Sequence, residues 1–386
     1  MAQVLGIIGG GQLGMMLAEA ASAMPDRISK VVVLDPTEGC PASLAGAEQI
    51  VADFKDRDAI VELSRRADVI TYEIESGDSD VLESVTDRAK IEPSPATLRV
   101  IQDKHAQKSF LAENGIPVPD FVAIDALDGL RGALEEFGYP ALLKARRDAY
   151  DGRGNCKIDS SDEVRDAYGR FEGRPMMLER FVPFVKEVSV IAARSTRGEI
   201  RTYPLVENIH EENILRTTIA PARVPDDVAA RARHIAERTM GVLKGAGVFG
   251  IEMFVTGSGG VMINEIAPRV HNSGHHSLQS SETSQFEQHL RAILGMSLGG
   301  TALRTSAVMY NILGMRGYEG PYRSPDVPQA DGHTFLKMYG KKTSKPLRKL
   351  GHLNLTGREG QGAERVLERL ESIRAMAVAL PARDSR

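Results

Sequence analysis

An apolar pentapeptide, Val4–Ile8, runs directly into Gly9-Gly10-Gly11-Gln12-Leu13-Gly14 and then into an alanine-rich stretch, Gln12–Ala23. A buried strand, a glycine turn and a helix in immediate succession constrain the fold strongly, because that order belongs to parallel α/β sheets. The pattern then repeats. Val31–Leu34 reads as a second strand ending at Asp35, Arg57–Arg66 is amphipathic, and Val69–Thr71 is a further strand. Gly9, Gly11 and Gly14 match G-x-G-x-x-G, and Asp35 lies 21 residues beyond Gly14. In dinucleotide sites such glycines let the backbone approach a pyrophosphate at a helix N-terminus, and the acid takes a ribose hydroxyl. The same N–H groups suit any anion, and a tight βα turn needs small residues for its own sake. A nicotinamide cofactor, another anion and a purely structural turn all stay open here.

The 386 residues predict two or three domains at roughly 100–200 each. Ile91-Glu92-Pro93-Ser94-Pro95 punctuates the chain, since two prolines forbid helix continuation and favour a linker or extended crossover. Helices are expected over Asp103–Asn114, Leu127–Phe137, Asp226–Leu243 and Ala363–Arg374. Strands are expected over Ala141–Ala145 and Met176–Val182, then Glu187–Ala193, Glu199–Val206, Val248–Val255 and Val261–Ile266. Three more are placed near Ala307–Leu313, Thr334–Tyr339 and His352–Leu355. The expected units are 1–95 (Rossmann-like), 96–182 (central lid) and 183–386 (β-rich), with a small carboxy-terminal part from about 304. The fold class is α/β, or α+β overall. A net charge of −4 disfavours a nucleic-acid wrapper. No window reaches the roughly 18–20 apolar residues that span a bilayer. With only Cys40 and Cys156, the chain fits a reducing cytoplasm.

Glu252 and Glu265 are acids inserted into apolar strands, and Thr256-Gly257-Ser258-Gly259-Gly260 between them is a turn. A hairpin would bring the two together, where like charges need a proton or a cation between them. One or two carboxylates completed by substrate phosphates suit Mg²⁺, and Asn264 beside Glu265 strengthens that reading over the alternative of two acids facing water on an edge strand. Lys144 ends a strand, where α/β sites present ligand groups. Lys104 opens a helix, where its charge opposes the dipole; it reads equally as a phosphate ligand and as an ordinary surface lysine that snorkels to solvent. Tyr150-Asp151-Gly152-Arg153-Gly154-Asn155 reads either as a mobile phosphate-covering loop or as a hairpin turn. Glu179-Arg180-Phe181-Val182 looks like a hinge whose backbone meets an adenine edge, with Glu187 on the ribose. Arg269-Val270-His271-Asn272-Ser273-Gly274-His275-His276 lacks zinc spacing and reads as a polar substrate loop. At least one of its histidines is expected to be structural.

In their order along the chain, these residues resemble the ATP-grasp family of 5-(carboxyamino)imidazole ribonucleotide synthases. The resemblance runs through Gly9–Gly14, Thr71–Glu75, Asp103-Lys104, Tyr150–Asn155, Glu179–Val182, Tyr203–Asn208, Phe249–Phe254 and Asn264–Arg269. Its most specific piece is His271–His275, and it ends in the segment from Lys341 to His352. It implies a usually dimeric ATP-grasp enzyme that joins bicarbonate to the amine of aminoimidazole ribonucleotide in purine biosynthesis. By resemblance, Lys104, Lys144, Ala149–Asn155, Glu179–Val182, Glu187, His210, Asn264 and Glu265 contact ATP. Glu252 and Glu265 hold Mg²⁺, two ions being expected. Arg269 and His271 are candidates for holding a carboxyphosphate, with Lys144, Tyr150, Asp151 and Arg153 as further catalytic groups. The substrate phosphate is expected between the glycine turn, with Gln12 and Leu13, and the basic residues Lys341, Arg348 and Lys349. Glu73 is expected near the ribose or amine and Asn272 near the base, whereas Lys342 and Lys345 are read as solvated. Asp148-Ala149, Lys345 and Leu347 depart from the family pattern. A formate-dependent glycinamide ribonucleotide transformylase, a nicotinamide oxidoreductase and a silent ATP-binding module are the alternatives.

Overall fold

The computed structural model describes residues 2–147 and 154–382. Strands β1 (Gln3–Ile8), β2 (Ile28–Leu34), β3 (Glu48–Ile50), β4 (Val69–Tyr72) and β5 (Lys90–Ile91) form one parallel sheet in the order β3-β2-β1-β4-β5. Alternate side chains feed opposite faces. Leu5, Ile7 and Val33 pack with Leu13, Met16 and Leu17 of helix Gln12–Ser22. Ile8, Val32 and Leu34 pack with Ile60 and Leu63 of helix Arg57–Arg66. Both faces are therefore dry, which is why these strands are continuous apolar runs.

The segment read as a linker is partly helical. Pro95 opens a helix, Pro95–Ile101, capped by Ser94, whose Oγ accepts the Thr97 N–H at 3.3 Å. A proline lacks the N–H that the first turn leaves unpaired anyway, so it starts a helix as readily as it ends one.

Strands β6 (Phe121–Ile124), β7 (Ala141–Ala145), β8 (Asn155–Ile158) and β9 (Met176–Arg180) make an antiparallel sheet, ordered β6-β9-β7-β8. Leu130 and Leu134 of helix Leu127–Phe137 cover it together with Val164 and Ala167.

The largest sheet is antiparallel: β10 (Phe184–Arg194), β11 (Ile200–Thr202), β12 (Val206–Glu211), β13 (Ile214–Ala220), β14 (Gly247–Thr256), β15 (Val261–Ala267), β16 (Ala307–Leu313), and, past a two-residue β17 (Tyr322–Arg323), β18 (Thr334–Met338) and β19 (Lys349–Thr356). Its order is β15-β14-β10-β12-β13-β16-β19-β18, with β11 on β10 and β17 outside it. The strands after 304 thus extend this sheet through the β13–β16 ladder. The single strand expected over Glu199–Val206 is two strands, broken at Tyr203-Pro204 because proline cannot donate to a ladder. Strand β13 and helix Gln285–Ile293 had no counterpart in the sequence reading. That helix packs Phe286, Leu290 and Ile293 against the first sheet's core. From it, His289 accepts the Val248 N–H at Nδ1, 3.0 Å, and meets Thr71 Oγ1 through Nε2, 2.8 Å.

Candidate active site

The hairpin of β14 and β15 sets Glu252 directly opposite Glu265, with an irregularity in the ladder at that point. Ile251, Met253, Ile263 and Ile266 around them are buried, while the two carboxylates keep 27% and 46% of their side-chain surface in contact with solvent. Burial pushes the Glu252 carboxyl up to about 7; His210 opposes the rise and Glu265 and Glu187 add to it. For Glu265 burial pushes the other way, but the Lys104 ammonium, 2.9 Å away, together with Lys144 and Lys108 outweighs it and holds the carboxyl below its usual range. Glu187 pairs with His210, and both line a crevice with Glu252 and Asn264. Among the described residues no group of three or more His, Cys, Asp or Glu could hold a metal. Two facing carboxylates, of which only Glu265 has an ammonium at hydrogen-bond distance among the described residues, are a donor set that a phosphate-bound divalent cation fits.

Behind them lies a buried ion cluster. Glu179 receives Lys144 Nζ at 2.7 Å on one oxygen and Lys108 Nζ at 2.8 Å on the other. The two ammoniums outweigh burial and hold Glu179 below the carboxylate range, while burial lowers Lys108 to about 8. The Glu179 carboxylate is therefore taken up by lysines, and its backbone lies between β6 and β7. Arg180, expected at the nucleotide, turns away. Its guanidinium meets Asp120 at 2.9 Å and the Phe137 carbonyl at 2.7 Å. Phe181 and Val182 lie between β9 and β10, outside both strands, and the Val182 carbonyl accepts the Phe184 N–H at 2.9 Å. Lys157 lies over the Phe181 ring at 5.3 Å, and Val182 is buried. Ala149, Tyr150, Asp151, Gly152 and Arg153 lie outside the described residues. Gly154 and Asn155 already pair with β7.

The glycine turn is filled from within. Glu73 accepts the N–H groups of Gly11, Leu13 and Gly14 at 2.6, 3.0 and 3.1 Å, and Asp35 accepts that of Gly10 at 2.8 Å. A pyrophosphate would have to expel Glu73, and Asp35 faces its own turn rather than a ribose. The nicotinamide reading fails there, and the Leu13 N–H is committed as well. Gln12 contributes through its side chain: Lys341 Nζ donates to Gln12 Oε1 at 2.9 Å and to the Lys349 carbonyl at 2.8 Å. Arg348 donates to the Thr343 carbonyl at 3.0 Å. Lys342 and Lys345 are exposed, as expected of a solvated face.

Between these regions Arg269 pairs with Glu75 at 2.9 Å, and His271 Nε2 sits 3.3 Å from Glu252. The amide nitrogen and oxygen of Asn272 are buried with no hydrogen-bond partner among the described residues.

Three family models match the chain: a ribonucleotide synthetase preATP-grasp domain over residues 1–102, an ATP-grasp domain over 109–286, and a phosphoribosylaminoimidazole carboxylase C-terminal domain over 307–366. The N5-carboxyaminoimidazole ribonucleotide synthase of Brucella melitensis is 40% identical over 351 residues, 90% of this chain and 95% of that protein. The chain belongs to the N5-carboxyaminoimidazole ribonucleotide synthases. It also matches the phosphoribosylaminoimidazole carboxylase of Schizosaccharomyces pombe at 41% identity, over 96% of this chain but 68% of that longer protein. The synthetase structure from Thermotoga maritima superposes with a TM-score of 0.88 at 41% identity, covering 98% of this chain and all of that one. The Aspergillus clavatus synthase, solved with ADP and 5-aminoimidazole ribonucleotide, gives 0.87 at 32% identity, covering 97% and 98%.

The synthase site contains residues that the sequence did not disclose. Lys108 lies in mid-helix and joins Glu179 to the Asn264 carbonyl, 3.0 Å away. Glu75, in the Thr71–Glu75 motif, holds Arg269. Of the three clustered histidines, only His271 faces the acid pair. His275 and His276 are buried, bonded to Gln285 and Ser280 at 3.2 and 2.8 Å. Gly250 makes room for His271, since a Cβ there would lie 2.5 Å from its ring.

Proposed function

We propose that this chain carboxylates the exocyclic amine of 5-aminoimidazole ribonucleotide with bicarbonate and ATP, releasing ADP and phosphate, in purine biosynthesis. The observation that supports it most is the joining of three distant segments at one place. Lys341 reaches Gln12 on the glycine turn, Glu73 anchors that turn, and Arg269, two residues past the strand that carries Glu265, reaches Glu75. An ATP site framed by Lys104 and Lys144 then lies beside a ribonucleotide site framed by Gln12, Lys341, Arg348 and Lys349.

In this reading a bicarbonate oxygen attacks the γ-phosphorus, the bond to ADP breaks, and carboxyphosphate forms. The amine then attacks its carboxyl carbon, directly or as released CO₂, phosphate leaves with its electron pair, and the proton lost by the amine passes to that phosphate. Arg269 and His271 hold the acyl phosphate oxygens, because charge must be met by fixed donors. Mg²⁺ bound by Glu252 and Glu265 would neutralise charge on the phosphate oxygens of ATP. Asn272, with its amide unpaired, receives the base. Phe181 and Val182 offer the backbone edge for adenine, and Glu187 with His210 the ribose. Tyr150, Asp151 and Arg153 would contact the phosphates of ATP. The enzyme works as a cytoplasmic homodimer; no helix among the described residues is long and apolar enough to cross a membrane.

ADP release by the purified protein tests this. Turnover should require bicarbonate with aminoimidazole ribonucleotide. Turnover with formate and glycinamide ribonucleotide instead would replace the reading by its neighbour in the superfamily.

A further inference from the structure

Four small polar residues have no part in the chemistry above, although one of them closes the Tyr203–Asn208 motif. Thr218 on β13, Asn208 on β12, Ser189 on β10 and Ser273 are 0, 5, 0 and 0% exposed. They form one continuous line. Thr218 Oγ1 meets Asn208 Oδ1 at 3.1 Å, Asn208 Nδ2 meets Ser189 Oγ at 3.0 Å, Ser189 Oγ meets Ser273 Oγ at 2.8 Å, and Ser273 Oγ meets His271 Nδ1 at 2.8 Å.

Each hydroxyl owns a single proton, so the direction of one link fixes the next. The end of the line decides it. The backbone N–H of Ser273 also points at His271 Nδ1, 3.3 Å away, and a backbone N–H can only donate. Nδ1 is therefore the lone pair, and the Ser273 hydroxyl gives it its proton. Ser273 then accepts from Ser189, Ser189 from the Asn208 amide, and Asn208 from Thr218. A flipped Asn208 would reverse the line and put a ring proton against the Ser273 N–H. Gln285 holds the same residue by its backbone, accepting the His271 N–H at 2.9 Å and donating to its carbonyl at 2.7 Å.

We propose that this buried hydrogen-bond line makes Ser273, Ser189 and Asn208 positioning residues that hold His271 with its proton on Nε2, as a hydrogen-bond donor aimed into the cleft beside Glu252. His271 then gives a hydrogen bond to an oxygen of the transferring group and does not take the proton of the substrate amine. The proposal rests on the reading that His271 faces the reacting group.

The test uses the full chain with ¹⁵N-labelled histidine. Its nine histidines include His271, whose signals are assigned by their loss in His271→Gln. The wild-type spectrum should show a protonated Nε2 and an unprotonated Nδ1. Ser273→Ala removes the 2.8 Å bond to Nδ1 and keeps only the longer 3.3 Å one from the backbone N–H, so it should weaken the tautomer preference to a mixture and lower kcat roughly tenfold, the scale of one lost hydrogen bond. The KM values for ATP and ribonucleotide should stay put, and Ser273→Thr should restore kcat. Ser189→Ala, one link further away, should show the same pattern more weakly. A proton on Nδ1 in the wild type, or full kcat in Ser273→Ala, overturns the proposal. If the variants do not fold, the wild-type spectrum decides alone. Full turnover by His271→Gln would instead sink the underlying reading of the site.

Discussion

Two sets of acids on this molecule meet opposite fates. Glu73 and Asp35 face the glycine turn and are satisfied by its N–H groups. Glu252 and Glu265 face each other, and only Glu265 has an ammonium at hydrogen-bond distance. Both sets sit beside backbone that a motif search would flag. The difference shows that a recognisable anion cradle can be occupied by the protein's own carboxylate, while the poorly compensated charge lies elsewhere. Where the structure closes its own hydrogen bonds, mutation should cost stability. Where it leaves charge uncompensated, mutation should cost activity.

The largest effect should come from the acid pair. Glu265→Gln should lower kcat/KM by about 3–4 kcal/mol of transition-state stabilisation, the scale of a lost charge-stabilising contact. Glu252→Gln should likewise lose turnover but melt higher than the wild type, because it removes one of two facing carboxylates. A calorimetric scan beside the ADP assay separates the two quantities, and a variant both active and less stable would place Glu252 with Glu73 instead.

Gly250→Ala comes next. Its new Cβ would lie 2.5 Å from the His271 ring, so the ring must shift. A displacement of about 1 Å costs on the order of 100-fold in turnover. Nucleotide affinity should hold, as equilibrium titration with ADP would show, and unchanged kcat would mean that His271 does not need its present place.

The acid pair was legible because a turn of two glycine-rich steps lies between two apolar strands, and the antiparallel register then has few choices. The helix after Ser94 was not, because two prolines in five residues look the same before a helix as in a linker. Arg180 and Lys108 show the reverse problem. A basic side chain can reach far enough to join either of two regions, and only packing decides which. Ser189 and Ser273 carry no signal of their own, since a small hydroxyl residue in a strand is common and its role appears only through its neighbours.

On the other side of the comparison, Glu73→Gln should cost about 1–3 kcal/mol of stability, because an amide NH₂ cannot accept the backbone N–H it would face. Urea unfolding measures it. A variant as stable as the wild type would mean that the turn does not need its carboxylate.

The smallest effect concerns Leu347, whose φ of +62° lies in the left-handed region. Leu347→Gly should raise stability by up to about 1 kcal/mol, since the relief of backbone strain is partly offset by glycine's greater freedom when unfolded. A lower urea midpoint would show that the leucine side chain contributes more than its backbone costs.

Cation binding tests the central contrast most directly. Mn²⁺ in place of Mg²⁺, followed by electron paramagnetic resonance in the presence of ADP, reports the metal without turnover. Wild type and Glu73→Gln should bind it alike, whereas Glu252→Gln and Glu265→Gln should bind it far more weakly. Affinity in the wild type should rise from about pH 6 to about pH 8, because a proton held by Glu252 with a pKa near 7 competes with the metal below that value. Binding that is unaffected by either glutamine, or that depends on Glu73, would contradict the account.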